Sequence, residues 1–170
     1  MRDQRVSSII FTGLFIAVVF VSTYFIQIPT PGVMGGLIHL GNIAMFSIAL
    51  KYGPKYGAIA GGVGMGMFDL FSAWYLWAPG TLVIRFLMGG VIGYVGTSNL
   101  FGKYVLLRRI VAILLGAVVM LVLYFVYEAL ILGIGFAAIA GVPGNLAQIA
   151  IGLLALVIIP FLPEIDESIS

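Results

Sequence analysis

The sequence has no cysteine, a single histidine and very few charged side chains. Without cysteine, disulfides, thiolate chemistry and iron–sulfur ligation are excluded, and one histidine cannot complete a metal shell. Charged residues make up 8% of the 170 residues, whereas soluble domains carry about 25%. The chain therefore lacks the surface of a water-soluble protein, and we predict neither a bound metal nor a cofactor.

Several catalytic and nucleotide-binding motifs are also missing. The sequence contains no G-x-x-x-x-G-K-[ST], H-E-x-x-H or G-x-S-x-G, so it has no P-loop, zinc-protease helix or nucleophile elbow. A net charge of only +2 is too small to indicate a nucleic-acid partner. We therefore predict a protein that is not an enzyme and carries no ATPase of its own.

Hydrophobic residues make up 62% of the chain, and its mean hydropathy is +1.22. A membrane-spanning helix needs about 20 apolar residues, so we predict an all-α integral membrane protein, a compact six-helix bundle forming one domain over residues 1–170. The predicted helices are Ser8–Ile28, Gly41–Leu50, Lys55–Ala73, Gly80–Gly96, Ile110–Leu132 and Asn145–Phe161. A Gly/Pro-rich capping loop at Thr30–Leu40 joins the first two. Irregular backbone at membrane depth is tolerated where it lines a cavity, so this loop indicates a nearby site.

Basic residues predict the orientation. With six spans, one side of the membrane carries seven of the eight Lys and Arg residues, namely Arg2, Arg5, Lys51, Lys55, Lys103, Arg108 and Arg109. Cytoplasmic loops are enriched in Lys and Arg. We therefore predict a multi-pass protein of a prokaryotic cell membrane with both termini in the cytoplasm.

The remaining polar side chains are predicted to meet near the outer face. An ionised group at mid-membrane costs about 2.5–3.5 kcal/mol, so such groups indicate function. The predicted ligand-binding residues are His39, Asn42, Asp69, Trp74, Trp77, Arg85, Glu128, Asn145 and Gln148. Two alternatives stay open: Asp69 and Arg85 could form a structural ion pair, and the two tryptophans could anchor the protein at the membrane interface.

Small residues recur at four-residue spacing, at Gly13 with Ala17 and at Gly57 with Gly61. Such pairs let membrane helices approach each other closely. They indicate either packing inside the bundle or an interface with an external membrane partner, and we predict a coupling interface at all four.

Several segments carry a family resemblance: GLFIAVVF, IPTPG, HLGN, KYGPKYGAIAGG and DLFSAWYLWAPGTLVIRFLMG. Together they make the whole chain resemble the S components, the substrate-binding subunits, of energy-coupling factor (ECF) vitamin transporters. The resemblance implies six helices around one vitamin near the outer face, below the first loop. It also implies two kinds of partner, a membrane coupling protein (the T component) and two cytoplasmic ATPases, as in an ABC-type importer. Small residues on the first helix would dock on the coupling protein.

The resemblance also implies a substrate. The sequence looks closest to the branches that take hydroxymethylpyrimidine or pyridoxine, with riboflavin as the nearest rival. Relatives carry HLGD where this chain has HLGN, so Asn42 removes a charge. Two other functions remain possible from the residues alone. One is a stand-alone ion-coupled transporter that uses Asp69 and Glu128 as proton sites, and the other is an intramembrane enzyme.

Overall fold

The computed structural model describes residues 2–30 and 36–165, which form a bundle of helices with one small hairpin. In chain order its elements are α1 (Arg2–Phe25), β1 (Gln27–Thr30), β2 (Gly36–His39), α2 (Gly41–Tyr52), α3 (Pro54–Leu70), α4 (Ala78–Thr97), α5 (Val105–Val126), a π-helical turn (Tyr127–Ile131), a 3-10 helix (Gly135–Gly141), α6 (Val142–Gly152), α7 (Ala155–Ile158) and a final 3-10 turn (Ile159–Phe161). The last four helical pieces after the π-helical turn together form the sixth span. The predicted six-helix membrane architecture is confirmed.

Four helical stretches of the described chain are long and apolar enough to cross a membrane. They are Gln4–Phe25, Ala78–Thr97, Val105–Ile131 and Gly135–Phe161. By contrast α2 has 12 residues and reaches only about 18 Å into a core about 30 Å thick. The chain between α1 and α2 therefore has to cover the rest of that crossing.

That connection contains two paired strands, which the prediction of an irregular loop missed. β1 and β2 pair antiparallel, with Gln27 opposite His39, and α1 ends at Phe25 instead of the predicted Ile28. Pro29 holds its preceding residue extended, and the strand pairing gives backbone groups the partners that lipid cannot offer. Residues 31–35, with Pro31 and Gly32 of the predicted capping loop, lie outside the described residues.

We call the end of the bundle that carries this hairpin, the α3–α4 connection (71–77) and the π-helical turn the hairpin end. The opposite end carries the α2–α3 joint at Gly53 and the α4–α5 connection (98–104), and we call it the joint end. Because the helices run alternately up and down, α1, α3 and α5 finish at the hairpin end, where α2, α4 and α6 begin.

Glycines let α3 pack closely against its neighbours. A Cβ placed on Gly89 of α4 would lie 2.2 Å from the carbonyl oxygen of Gly57, and one on Gly61 would lie 2.2 Å from Met45 Sδ. Both α3 glycines are buried. The prediction that Gly57 and Gly61 belong to an external coupling interface is therefore wrong, because helix packing inside the bundle already uses them.

Other helix boundaries also differ from the prediction; α3, for example, ends at Leu70 instead of Ala73. α5 begins at Val105 instead of Ile110 and therefore includes Arg108 and Arg109. Arginine side chains are long enough to reach water from within a helix near the interface, so these two residues do not end the helix. The predicted helix Asn145–Phe161 instead begins at Val142 and is interrupted at residues 153–154, between α6 and α7.

Candidate ligand-binding site

Polar side chains from six elements (β2, α3, α4, α5, the π-helical turn and α6) line one cavity at the hairpin end. Asp69 lies in the last turn of α3, Glu128 lies in the π-helical turn, and His39 is the last residue of β2. The residues that line the cavity are Leu37, His39, Met65, Asp69, Trp74, Trp77, Thr81, Arg85, Tyr124, Glu128, Asn145 and Gln148. The fold thus gathers groups that are up to about a hundred residues apart in the chain.

Eight of the nine predicted binding residues line this cavity. The exception is Asn42, which is fully buried behind the wall. Its Oδ1 accepts a hydrogen bond of 2.7 Å from Nη1 of Arg85, and its Nδ2 donates to the carbonyl oxygen of Gln148 at 3.2 Å. Asn42 therefore orients a wall residue and does not face the cavity itself.

The cavity is small. About 70 Å³ is open to the centres of water-sized molecules. One water needs roughly 10–15 Å³ by this measure, so the space holds about five waters or a ligand with one substituted ring.

Arg85 is the centre of a buried hydrogen-bond network. It is 3% exposed, and its Nε donates to the hydroxyl of Tyr124 at 3.3 Å, while Nη2 donates to Oε1 of Gln148 at 3.4 Å. Nη1 also lies 3.3 Å from Met120 Sδ. All these partners are neutral, and within the described chain the one ion pair is elsewhere, between Lys51 and Glu164.

The direct ion pair between Asp69 and Arg85, one of the two alternatives left open by the sequence, is therefore not formed. A buried charge that lacks a counter-charge is costly unless dipoles or a ligand compensate it. In this site the amide and hydroxyl dipoles compensate Arg85. Asp69 and Glu128 line the same cavity, so acceptor and donor groups lie on different walls of it.

Glu128 is positioned by an aromatic side chain and by local helix geometry. Oε1 of Glu128 accepts a hydrogen bond of 3.1 Å from Nε1 of Trp77. The π-helical turn that carries Glu128 is held by Tyr127, whose hydroxyl donates to the carbonyl oxygen of Leu76 at 2.7 Å. π-helical turns are rare and often occur at functional sites, and this one adds an extra residue where the carboxylate must face inward.

The two tryptophans form a second wall of the site. Their ring centroids are 5.4 Å apart with an interplanar angle of 67°, so Trp74 and Trp77 make an edge-to-face pair. Both side chains are only half-buried, and each offers an aromatic face on which a flat ligand can stack.

His39 connects the hairpin to the cavity. Its Nδ1 accepts a hydrogen bond of 3.1 Å from the backbone N–H of Gly41, so the neutral ring carries its proton on Nε2 and can donate it to a ligand. The contact requires glycine at position 41, since a Cβ there would lie 2.2 Å from Oγ1 of Thr23. Nε2 of Gln148 donates to the carbonyl oxygen of Leu37 and ties α6 to the same strand.

Four lining residues were not predicted: Leu37, Met65, Thr81 and Tyr124. The last three lie four positions before Asp69, Arg85 and Glu128, and Leu37 lies two positions before His39. Residues four apart share a helix face, and residues two apart share a strand face. This spacing is the signal that could have found them. Two of them also contact each other across helices, since Thr81 Oγ1 and the Tyr124 hydroxyl are hydrogen-bonded at 2.9 Å.

The small residues of α1 lie away from the cavity. Gly13 and Ala17 are exposed, and a Cβ at Gly13 would meet no atom within 4 Å. The packing of the bundle therefore does not require glycine at this position.

Comparison with known proteins gives a consistent picture. Residues 3–163 match the protein family described as "ECF-type riboflavin transporter, S component". An uncharacterized protein of Pyrococcus woesei is 32% identical over 136 residues, which cover 79% of this chain and 86% of that protein. The thiamine precursor transporter HmpT of Lactococcus lactis subsp. cremoris (strain MG1363) is 26% identical over 163 residues, which cover 95% of this chain and 91% of HmpT.

Proposed function

The chain belongs to the family of S components of ECF-type riboflavin transporters, and we propose that it captures a one-ring vitamin or vitamin precursor with high affinity. Membership of this family makes it a membrane-embedded subunit of a vitamin transport system. Hydroxymethylpyrimidine or pyridoxine is the proposed substrate, in preference to riboflavin.

The size of the cavity carries this choice. The cavity volume of about 70 Å³ gives space for about five water molecules. This space suits one six-membered ring with short substituents. Riboflavin has three fused rings and a long polyhydroxylated chain, and it would need a much larger volume. The similarity to HmpT, a thiamine precursor transporter, supports the same choice.

The polarity of the walls also suits such a ring. Stacking on Trp74 or Trp77 would bury the flat face, and the carboxylates of Asp69 and Glu128 would accept hydrogen bonds from an exocyclic amine or hydroxyl. Arg85 and His39 Nε2 would donate to ring nitrogens or to a hydroxyl oxygen. A ring with donors on one edge and acceptors on the other would then be bound in one orientation.

Binding and fluorescence measurements test the substrate. Both tryptophans of the chain line the cavity, so a bound ring should change the intrinsic fluorescence, and calorimetry on the purified protein gives Kd. We expect tight binding of hydroxymethylpyrimidine or pyridoxine and no measurable binding of riboflavin. Tight binding of riboflavin, with neither one-ring compound bound, would show that the substrate assignment is wrong.

We propose that release into the cell needs partners. A ligand of about ten heavy atoms can reach nanomolar Kd near the upper limit of ligand efficiency. Changing the population ratio of a capturing and a releasing state by about 10⁴ requires about 5.5 kcal/mol. The chain has no P-loop to supply it. A T component and two cytoplasmic ATPases would supply this energy, and Gly13 and Ala17 would contact the T component.

The proposed orientation places the hairpin end outside the cell and both termini in the cytoplasm. The joint end carries Lys51 and Lys55 at the α2–α3 joint and Lys103 in the α4–α5 connection, in agreement with the enrichment of basic residues in cytoplasmic loops. The cavity would then open toward the external medium, where the vitamin is captured. Residues 1–170 are proposed to form one transmembrane domain of a prokaryotic cell membrane.

One observation also supports the alternative of an ion-coupled transporter acting alone. Neither Asp69 nor Glu128 has a Lys or Arg within ion-pair distance in the described chain, so each could carry a proton. Liposomes that contain only this protein distinguish the two functions. Vitamin uptake driven by a pH gradient would favour the alternative, whereas binding without uptake would favour the capture subunit.

A further inference from the structure

A second, larger cavity lies outside the ligand-binding site, as an apolar groove between α1, α2 and the C-terminal segment. It offers about 510 Å³ to water-sized molecules, against about 70 Å³ in the ligand-binding site. The residues that line it are Phe11, Leu14, Phe15, Val18, Ser22, Leu40, Ile43, Ala44, Ser47, Ile48, Tyr52, Ile158, Leu162, Pro163 and Ile165. We call this surface the lateral groove.

The lateral groove contains a buried hydroxyl that has no hydrogen-bond partner among residues 2–30 and 36–165. Ser47 is 4% exposed, and its Oγ makes no hydrogen bond within the described chain. Hydroxyls in helices usually bond the carbonyl four residues earlier, as Thr12 and Thr23 do here at 2.7 Å. An unsatisfied buried hydroxyl is unfavourable, so Ser47 indicates an occupant with a hydrogen-bond acceptor at this depth.

Basic side chains lie just beyond one end of the lateral groove. Lys51 is one helical turn from Ser47, about 6 Å along α2, and its Nζ pairs with the highly exposed carboxylate of Glu164. Nζ of Lys55 donates to Oγ of Ser8 at 2.8 Å. The groove thus combines an apolar channel, a hydroxyl and, one turn further toward the joint end, two cations.

We propose that the lateral groove binds a phospholipid from the membrane leaflet at the joint end. One acyl chain lies in the apolar channel, an ester carbonyl accepts the hydrogen bond of Ser47 Oγ, and the phosphate lies against Lys51 and Lys55. In a phospholipid the ester carbonyls are separated from the phosphate by the short glycerol unit, which matches the one-turn spacing between Ser47 and Lys51.

A transmembrane helix of a partner protein fits these observations less well. Its backbone carbonyls are already hydrogen-bonded within the helix, and it brings no anion to the two lysines. The exposed residues Gly13 and Ala17 also lie on another face of α1, roughly 100–160° around the helix from Phe11 and Val18. A partner centred on those small residues would therefore leave the part of the lateral groove that Phe11 and Val18 line open to lipid.

Native mass spectrometry of the full-length chain, reconstituted with defined lipids, tests the proposal. The probes are phosphatidylglycerol with two ester-linked chains and its diether analogue, which lacks both carbonyls. We expect the unmodified protein to retain the diester about two- to tenfold better than the diether, the effect of one hydrogen bond. Ser47→Ala should remove this preference.

Two bulky substitutions complete the experiment. Ala44→Phe fills the lateral groove and should abolish retention of both lipids, while Val118→Phe, at an exposed position of α5, should retain them as the unmodified protein does. Vitamin affinity, measured in parallel, reports whether each variant is folded. Retention unaffected by Ala44→Phe would overturn the proposal. So would a groove that stays free of lipid and becomes protected from exchange only when a coupling protein is added.

Discussion

Arg85 is the residue on which the polar groups of the binding site converge. It is almost fully buried and contacts groups from α2, α5 and α6 through Asn42, Tyr124 and Gln148. A guanidinium can make these contacts because its donors form a rigid planar fork. The charge is thus oriented before a ligand arrives, which lowers the ordering cost of binding.

Replacing Arg85 by lysine should weaken vitamin binding by about 10- to 150-fold, which corresponds to one charge-assisted hydrogen bond of about 1.5–3 kcal/mol. Lysine keeps the positive charge but cannot reach three partners at once. Calorimetric Kd values measure the effect. Arg108→Lys serves as the control, because Nη1 of Arg108 bonds the carbonyl oxygen of Ser98 near the joint end. Equal affinities for both variants would contradict a role of Arg85 in binding.

The two tryptophans are expected to differ in importance. Trp77 donates a hydrogen bond to Glu128, whereas the Trp74 indole makes no hydrogen bond within the described chain. Trp77→Phe keeps an aromatic face but loses this donor, so we expect about a three- to tenfold loss of affinity. Trp74→Phe should change Kd by less than about twofold. A larger effect at Trp74 would refute the assigned role of the Trp77–Glu128 hydrogen bond.

Elements of the bundle depend on close helix contacts that leave no space for a methyl group. At Gly89 a Cβ would overlap the backbone of Gly57, whereas at the adjacent Gly90 the nearest atom would be 3.7 Å away, at Ala58 Cβ. The two positions provide a matched pair on one helix. They separate the effect of helix–helix contact from the effect of glycine on helix propensity.

We expect Gly89→Ala to destabilise the protein by at least about 1–3 kcal/mol, because α3 and α4 must separate to make room. Gly90→Ala should be neutral or stabilising by up to about 1 kcal/mol, since alanine favours the helix. Thermal unfolding in detergent compares the two variants. If Gly90→Ala were the more destabilising, the α3–α4 contact described above would be incorrect.

At the scale of the whole molecule, the position of the cavity relative to the membrane determines what the protein can do. In the proposed orientation the site at the hairpin end would open to the outside and capture a vitamin, and the proposed contact surface on α1 would couple capture to release. Binding and coupling would then depend on different residues.

The absence of native cysteine makes the proposed orientation directly testable. Single cysteines introduced at Phe136 and at Asn99, both exposed and at opposite ends of the bundle, should respond differently to a membrane-impermeant maleimide. In intact cells we expect labelling of Phe136→Cys but not of Asn99→Cys, and labelling of both after lysis. The reverse pattern would place both termini outside.

The coupling proposal predicts that uptake and binding can be separated. Ala17→Leu adds bulk on the exposed face of α1, so vitamin uptake by cells with the complete transport system should fall strongly while Kd of the purified subunit stays unchanged. Val118→Phe, at an exposed position of α5, is the control and should leave uptake near its normal value. Loss of vitamin binding in Ala17→Leu would instead indicate that Ala17 packs inside the bundle.

Much of this architecture follows from hydrophobicity alone. In lipid every backbone group must be paired within its own segment or its neighbour, so long apolar runs become helices, and proline and glycine mark their ends. Polar side chains placed one turn from helix ends at the same side then have to meet, as Asp69, Arg85 and Glu128 do around the cavity. Such local rules predicted the class of fold and the approximate place of the site.

Other features depended on contacts between segments distant in the chain. The β1–β2 hairpin, the burial of Gly57 and Gly61, and the missing Asp69–Arg85 ion pair were not predictable from local pattern. Whether two small residues face lipid or a neighbouring helix depends on helix rotation, which hydrophobic periodicity barely defines when nearly every position is apolar.

What the sequence by itself determined is therefore a six-helix membrane protein with polar groups gathered at one end, because lipid imposes helices and penalises every polar side chain left in it. Only the tertiary structure decided which partners those groups take. Arg85 bonds to Asn42, Gln148 and Tyr124 instead of a carboxylate. Helix rotation and the three-dimensional packing of α2, α5 and α6 bring these neutral groups within hydrogen-bond distance and leave the two carboxylates facing the ligand cavity.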